Sequence, residues 1–240
     1  MRVPVQDEGR EQVTYRFASS LLISNLLILL TGVSSPSAQG TSSLLEDIEW
    51  TWEVRPTHYN PKLPNVLLLG DSITRNYYPA VARRLAGKAN AYLMATSASV
   101  GDPRLPLQIA DFATAQAVQF SLVHFNNGMH GWVYTESQYE HGFPSFLRAI
   151  QDAAPGARLI WATTTPVKVD ASPGPTNRRI EARNAIAKTL VQKAAVLIDD
   201  QHELMMHHLD TYEDTIHFNE NGAEIQGAQA AATMERALPK

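Results

Sequence analysis

Two short stretches of the 240-residue chain carry side chains that could do chemistry together. In LLLGDSIT, residues 67–74, an apolar run stops at Gly70, and Asp71 and Ser72 follow before chain of helical character begins. A serine hydroxyl becomes a useful nucleophile when a turn holds it exposed and a general base takes its proton. The unpaired N–H groups opening the next helix would then face negative charge developing beside Ser72. A short polar residue in this position also serves simply as a helix cap, and GDS alone fits either role. The second stretch is YEDTIHFNENG, residues 212–222, where Asp214 and His217 stand three residues apart. At that spacing in a turn, the carboxylate can reach the imidazole of its own segment. It would set the tautomer and leave Nε2 to accept a proton from a serine. Ser72, His217 and Asp214 are therefore a candidate nucleophile, base and orienting acid.

These residues need elements to position them. Apolar runs of strand length occur at 65–69, 91–95, 121–126, 157–162 and 195–199, with helical patterns between them. Phe143, Phe146, Leu147 and Ile150 share one helical face, as do Ala182, Ala185, Ile186 and Leu190. The closing AEIQGAQAAATMERAL is helical by propensity. Alternating strands and helices predict an α/β domain with a parallel sheet covered on both faces. Functional residues of such sheets gather at the carboxyl ends of strands, where Gly70 to Ser72 fall. Residues 41–63 read as an irregular lead-in with Trp50 and Trp52 as packing anchors.

Composition narrows the partners. The net charge of −4 with scattered basic residues argues against a nucleic-acid partner. With no cysteine, disulfides, thiolate nucleophiles and thiolate metal sites are excluded. His207 and His208 are adjacent, so their side chains diverge, and no metal site is expected there. Residues 17–33 form an apolar stretch between Arg16 and the small-residue run SSPSAQG. That pattern predicts an export signal over residues 1–40, cut between Ser34 and Gly40, ahead of a single domain over 41–240. The alternative is an uncleaved membrane anchor. Either way the domain is expected to be secreted or periplasmic, with a membrane as partner only if the segment is retained.

GDSIT near the start and DTIH near the end resemble the first and last motif blocks of the SGNH hydrolases, the GDSL esterase/lipase family. The resemblance spans residues 64–235. It implies a flavodoxin-like three-layer α/β/α sandwich with five parallel strands in the order 2-1-3-4-5, and ester hydrolysis through an acyl-enzyme on serine. By that resemblance Ser72 is the nucleophile, His217 the base and acid, and Asp214 the orienting residue, with Gly70 and Asp71 supporting the motif. The second block would supply an oxyanion-hole N–H from Gly101 in ATSASVGDPR, with Ser99 where the family often has asparagine. An ordinary loop glycine at positive φ is the other reading of Gly101. The third block departs from the family's Gly-x-Asn-Asp, since the chain reads SLVHFNNGMHGW. With Gly128 in the glycine slot, His130 falls on the asparagine and Gly131 on the aspartate. In a slipped register Asn126 or Asn127 supplies the amide. One donor from Asn126, Asn127 or His130 is expected beside the Ser72 and Gly101 N–H groups. Loss of one such donor typically costs ~3 kcal/mol. The HFNNGMHGW form resembles a bacterial branch of the family.

The expected activity is hydrolysis of short acyl esters, acetyl above all, on a carbohydrate or other small molecule, with no cofactor. A lipid or lysophospholipid esterase of the same family is the alternative, as is a non-catalytic carbohydrate-binding module on the same fold. Thr163 to Pro166, the loop SPGPTNRR at 172–179, and Arg75, Tyr77 and Tyr78 each fit either a pocket lining or ordinary structure. Oligomeric state is not written in the sequence.

Overall fold

The computed structural model describes residues 43–239. The export-signal or anchor segment expected over residues 1–40 lies outside them. Among the described residues no helix is long and apolar enough to cross a membrane.

The five apolar runs are the five parallel strands. They are β2 (Asn65–Gly70), β3 (Asn90–Thr96), β4 (Phe120–Phe125), β5 (Arg158–Ala162) and β6 (Leu197–Asp199). Their order across the sheet is β3-β2-β4-β5-β6, which is the expected 2-1-3-4-5 arrangement. Successive side chains of a strand point to opposite faces, and β2 divides its apolar residues accordingly. Leu67 and Leu69 join Met94, Val123, Phe125 and Trp161 under one helical layer. That layer is α2 (Arg104–Gln116), α3 (Glu136–Ala153) and α4 (Asn177–Lys193). Val66 and Leu68 join Leu93, Leu122 and Ile160 under α1 (Ser72–Arg84) and α6 (Glu220–Ala237), the short α5 (Gln201–Met206) following β6. Both faces are thus sealed, each fully buried large apolar side chain contributing about 2 kcal/mol.

The lead-in holds a strand that the apolar pattern does not announce. β1 (Thr51–Val54) adds to the outer edge of β3, antiparallel, making a sheet of six strands among the described residues. Three of its four residues are exposed, so backbone pairing rather than burial holds it. Trp52 is correspondingly no packing anchor: it is exposed on the surface, with the Arg75 guanidinium 5.2 Å from its ring centre.

Candidate active site

Ser72 opens α1 immediately beyond β2. Asp71 caps the helix, accepting the Ile73 N–H at 3.0 Å with one carboxylate oxygen and the Met129 N–H at 3.3 Å with the other. Asp71 therefore joins the nucleophile turn to the loop after β4. Gly70 has a local reason. A Cβ there would collide with the Thr74 side chain and lie 3.1 Å from the Asn126 carbonyl oxygen.

His217 and Asp214 come from the loop between a 3-10 turn (Leu209–Thr211) and α6. This loop is closed on itself by a Tyr212–Phe218 bridge, with the two rings stacked 4.4 Å apart. It is tied to the loop after β5 by the Tyr212 hydroxyl, which donates to the Pro166 carbonyl at 2.7 Å. So braced, it places His217 Nε2 2.8 Å from Ser72 Oγ, and His217 Nδ1 2.8 Å from Asp214 Oδ2. Asp214 Oδ1 accepts the N–H groups of Ile216 and His217, both at 2.7 Å. Partial burial opposes its charge, but these N–H donors and the imidazole outweigh it, and the Asp214 pKa is lowered to about 2.

The oxyanion candidates sort by what their groups already bind. Among the described residues neither the Ser72 N–H nor the Gly101 N–H donates to a protein acceptor. Gly101 has φ +103°, and a Cβ there would press on the Tyr134 ring at 3.2 Å. Asn126 donates its amide to the Ala162 carbonyl at 2.6 Å and to Thr164 Oγ1 at 3.2 Å. Asn127 donates to the Ala98 carbonyl at 2.8 Å and accepts the Val100 N–H at 2.9 Å. Both asparagines are thereby engaged in holding loops. His130 uses only Nδ1, 2.9 Å from Glu46 Oε2, and its Nε2 has no protein partner among the described residues. Burial opposes charge on His130, yet Glu46 and the negative charges of Asp71 and Glu49 prevail and raise its pKa. Glu46 is lowered, its burial outweighed by bonds from His130 and from the Gly131 N–H.

Sequence reasoning missed the residues that hold this loop. Arg183, fully buried on α4, donates to the carbonyls of His130, Gly131 and Tyr134 at 2.9 to 3.0 Å. Burial depresses its pKa to about 10. Arg179, one helical turn earlier, donates to the carbonyls of Trp132 and Tyr134. The i, i+4 spacing of the two arginines on a helix was the available signal. Other residues with two readings turn out to brace the structure. Tyr77 and Tyr78 are buried, Tyr78 donating to the Ala91 carbonyl at 2.9 Å. Thr164 accepts from Asn126, and Thr163 donates to Asp200 at 2.9 Å. His207 is on the surface beside Glu203 at 3.0 Å.

With the fold and the hydrogen-bonded serine in place, comparison with known proteins becomes decisive. Residues 68–225 match the model of the GDSL-like lipase/acylhydrolase family. The chain belongs to that family. It is thereby a carboxylic ester hydrolase by class. A comparison with curated proteins returned no match. Solved structures share the fold at low identity. The lipase/acylhydrolase of Enterococcus faecalis aligns with TM-score 0.57 and 17% identity, over 74% of this chain and 99% of that one. A carbohydrate esterase family 3 member from Talaromyces cellulolyticus aligns with TM-score 0.55 and 18% identity, over 72% and 97%. The C-terminal catalytic domain of peptidoglycan O-acetyltransferase A from Streptococcus pneumoniae gives TM-score 0.55 and 19% identity, over 73% and 94%. The GDSL family match starts downstream of β1 and of Glu46, so neither belongs to the matched region.

Proposed function

We propose that this GDSL-family chain is a serine esterase that removes short acyl groups, acetyl above all, from carbohydrate esters. The observation that carries the reading is the unbroken hydrogen-bonded line from Ser72 Oγ through His217 to Asp214, each step 2.8 Å. In the proposed reaction His217 Nε2 takes the Ser72 proton as Oγ attacks the ester carbonyl carbon. The carbonyl π electrons move to oxygen, and the Ser72 and Gly101 N–H groups hold the resulting anion. The intermediate collapses by breaking the bond to the alcohol, which leaves with the proton from His217. Water, deprotonated by His217, then attacks the acyl-serine, and Ser72 departs with that proton. Asp214 keeps the Nδ1–H oriented and stabilises the transient imidazolium. Side chains, backbone N–H groups and water suffice for every step.

The substrate class draws on three supports. The concavity that reaches Gly101 is small, about 250 Å³, and is lined by neither Ser72 nor His217, which favours a small acyl group. Arg75 follows Ser72 by one helical turn and lies over both Trp50 and Trp52, at 5.4 and 5.2 Å. Aromatic surface beside a guanidinium suits a hydroxyl-rich alcohol moiety. The expected export over residues 1–40 would bring the domain to extracellular or cell-wall carbohydrate.

The test compares p-nitrophenyl acetate, butyrate and octanoate with wild type and Ser72→Ala. Acetate turnover that falls at least about 10,000-fold in the variant is expected. Equal rates from two folded proteins would leave Ser72 as a helix cap alone and overturn the reading. Preference for octanoate would replace the short-acyl assignment by a lipid esterase.

A further inference from the structure

We propose that Glu46 holds His130 as an imidazolium that donates its Nε2–H to the oxyanion, in the slot where the family's third block has asparagine. The inference rests on the Ser72 esterase reading and adds to it a positively charged donor with its own positioning residue.

The placement follows from the neighbours of His130. On one side, the Met129 N–H donates to Asp71, the residue before the nucleophile. On the other, Gly131 packs so closely on Ser99 that a Cβ would collide with the serine side chain, in the loop that ends at Gly101. His130 therefore stands where the loops carrying the Ser72 and Gly101 N–H groups converge. Its ring meets Trp50 edge-on at 5.8 Å, and Trp50 in turn packs on Arg75, one turn from Ser72. Its carbonyl is fixed by Arg183.

Glu46 is a built partner rather than a passing surface contact. Its carboxylate spans two successive residues, accepting from His130 Nδ1 and from the Gly131 N–H, both at 2.9 Å. The lead-in that carries it is fastened to the same loops. Ser43 donates to Asp102, the Leu44 N–H to the Tyr134 hydroxyl, and the Trp50 N–H to Ser97 Oγ.

Protonation decides what Nε2 offers. With Nδ1–H given to Glu46, a neutral ring presents only a lone pair at Nε2, which would repel an oxyanion. The imidazolium presents N–H at both nitrogens. The charges facing the ring are Glu46 and Glu49 from the lead-in and Asp71 from the nucleophile turn. Against them stand Arg75 across Trp50, Arg104 paired with Glu49 at 3.0 Å, and Arg183 at the carbonyl. Burial also opposes charge on the ring, and the bond to Glu46 with the charges of Asp71, Glu46 and Glu49 outweighs it, so the His130 pKa is raised.

The experiment measures kcat and KM for p-nitrophenyl acetate against pH with the full chain. It compares wild type, Glu46→Gln, His130→Ala, His130→Asn and the Glu46→Gln/His130→Asn double variant. Wild type should lose activity in alkali as the imidazolium gives up its proton. His130→Ala should lower kcat about 100- to 1,000-fold with little change in KM. His130→Asn, a neutral donor, should recover most of that loss and abolish the alkaline fall. Glu46→Gln should move the fall to lower pH in the wild-type background and change nothing beside His130→Asn. Glu46→Gln that lowers kcat equally in both backgrounds, or an alkaline limb unmoved by it, would overturn the inference. Ring nitrogen chemical shifts of His130 in Ser72→Ala provide a readout independent of turnover. Two protonated nitrogens at neutral pH are expected, and a single proton would overturn the assignment. If Ser72→Ala retains turnover, the esterase reading itself fails. If Ser72→Ala is dead while the Glu46 and His130 variants match wild type, only this inference fails.

Discussion

The His217 loop and the His130 loop pair a histidine with a carboxylate in the same way and for opposite ends. In each, Nδ1 faces a carboxylate oxygen, at 2.8 Å to Asp214 and 2.9 Å to Glu46. In each, the carboxylate also accepts backbone N–H groups of its own histidine's neighbourhood. The first pair is three residues apart and the more exposed, with 30% and 54% of its side chains open to solvent; the second spans 84 residues and is more buried, at 16% and 31%. An open, local pair leaves its imidazole free to cycle a proton, as a base must. A closed pair between further carboxylates, Asp71 and Glu49, favours the proton staying on the ring. In the proposed mechanism the same two side-chain types thus yield a base in one loop and a fixed donor in the other, because burial and net local charge differ.

The contrast is tested hardest at Asp214. Asp214→Asn should lower kcat about 1,000- to 10,000-fold, equivalent to about 4–5.5 kcal/mol, through the wrong tautomer of His217. Steady-state kinetics check this, and thermal unfolding should barely move, since the carboxylate is exposed. Asp214 stays ionised until the pH approaches 2, so protonation of Asp214 does not set the acid limit of wild-type activity.

A third pair separates charge burial from catalysis. His124 on β4 and Asp199 at the end of β6 meet at 2.8 Å with 0% and 1% of their side chains exposed. His124→Ala leaves a buried carboxylate short of its partner and should cost about 3–5 kcal/mol in urea unfolding. The Asp199 pKa is lowered, its burial outweighed by His124, Gln201 and Gln229. Its stabilisation is therefore present above the ordinary carboxylate range, ~4, and lost as pH falls through the lower folded value. Asp199→Asn should flatten that part of the acid-stability curve.

The smallest effect is expected at His207, whose pair with Glu203 is exposed on both sides. His207→Ala should shift stability by less than about 0.5 kcal/mol and leave the pH profile unchanged. A larger shift would mean that pairing alone, without burial, suffices for a histidine effect in this protein.

What was legible in the sequence was local or periodic. The five parallel strands announce themselves because strands buried on both faces must be apolar throughout, and Val66 to Leu69 is such a run. The Asp71–Ser72 turn and the Asp214–His217 spacing are contacts within a few residues, so the chain's own geometry nearly determines them. β1 left no such mark, since its backbone pairing with β3 asks little of its side chains. The HFNNGMHGW segment allowed three donors until the fold engaged Asn126 with β5 and Asn127 with the 98–100 loop. Glu46 and Arg183 are ordinary charged residues in sequence. Only packing brings one to the ring of His130 and the other to its carbonyl, 84 and 53 positions away along the chain. Sequence by itself determined the five parallel strands and the serine, histidine and aspartate that face each other, while the strand order was implied only by the family resemblance. Tertiary structure alone decided the company His130 keeps, because distant charges acquire a common, partly dehydrated neighbourhood only when the loops that carry them are packed together.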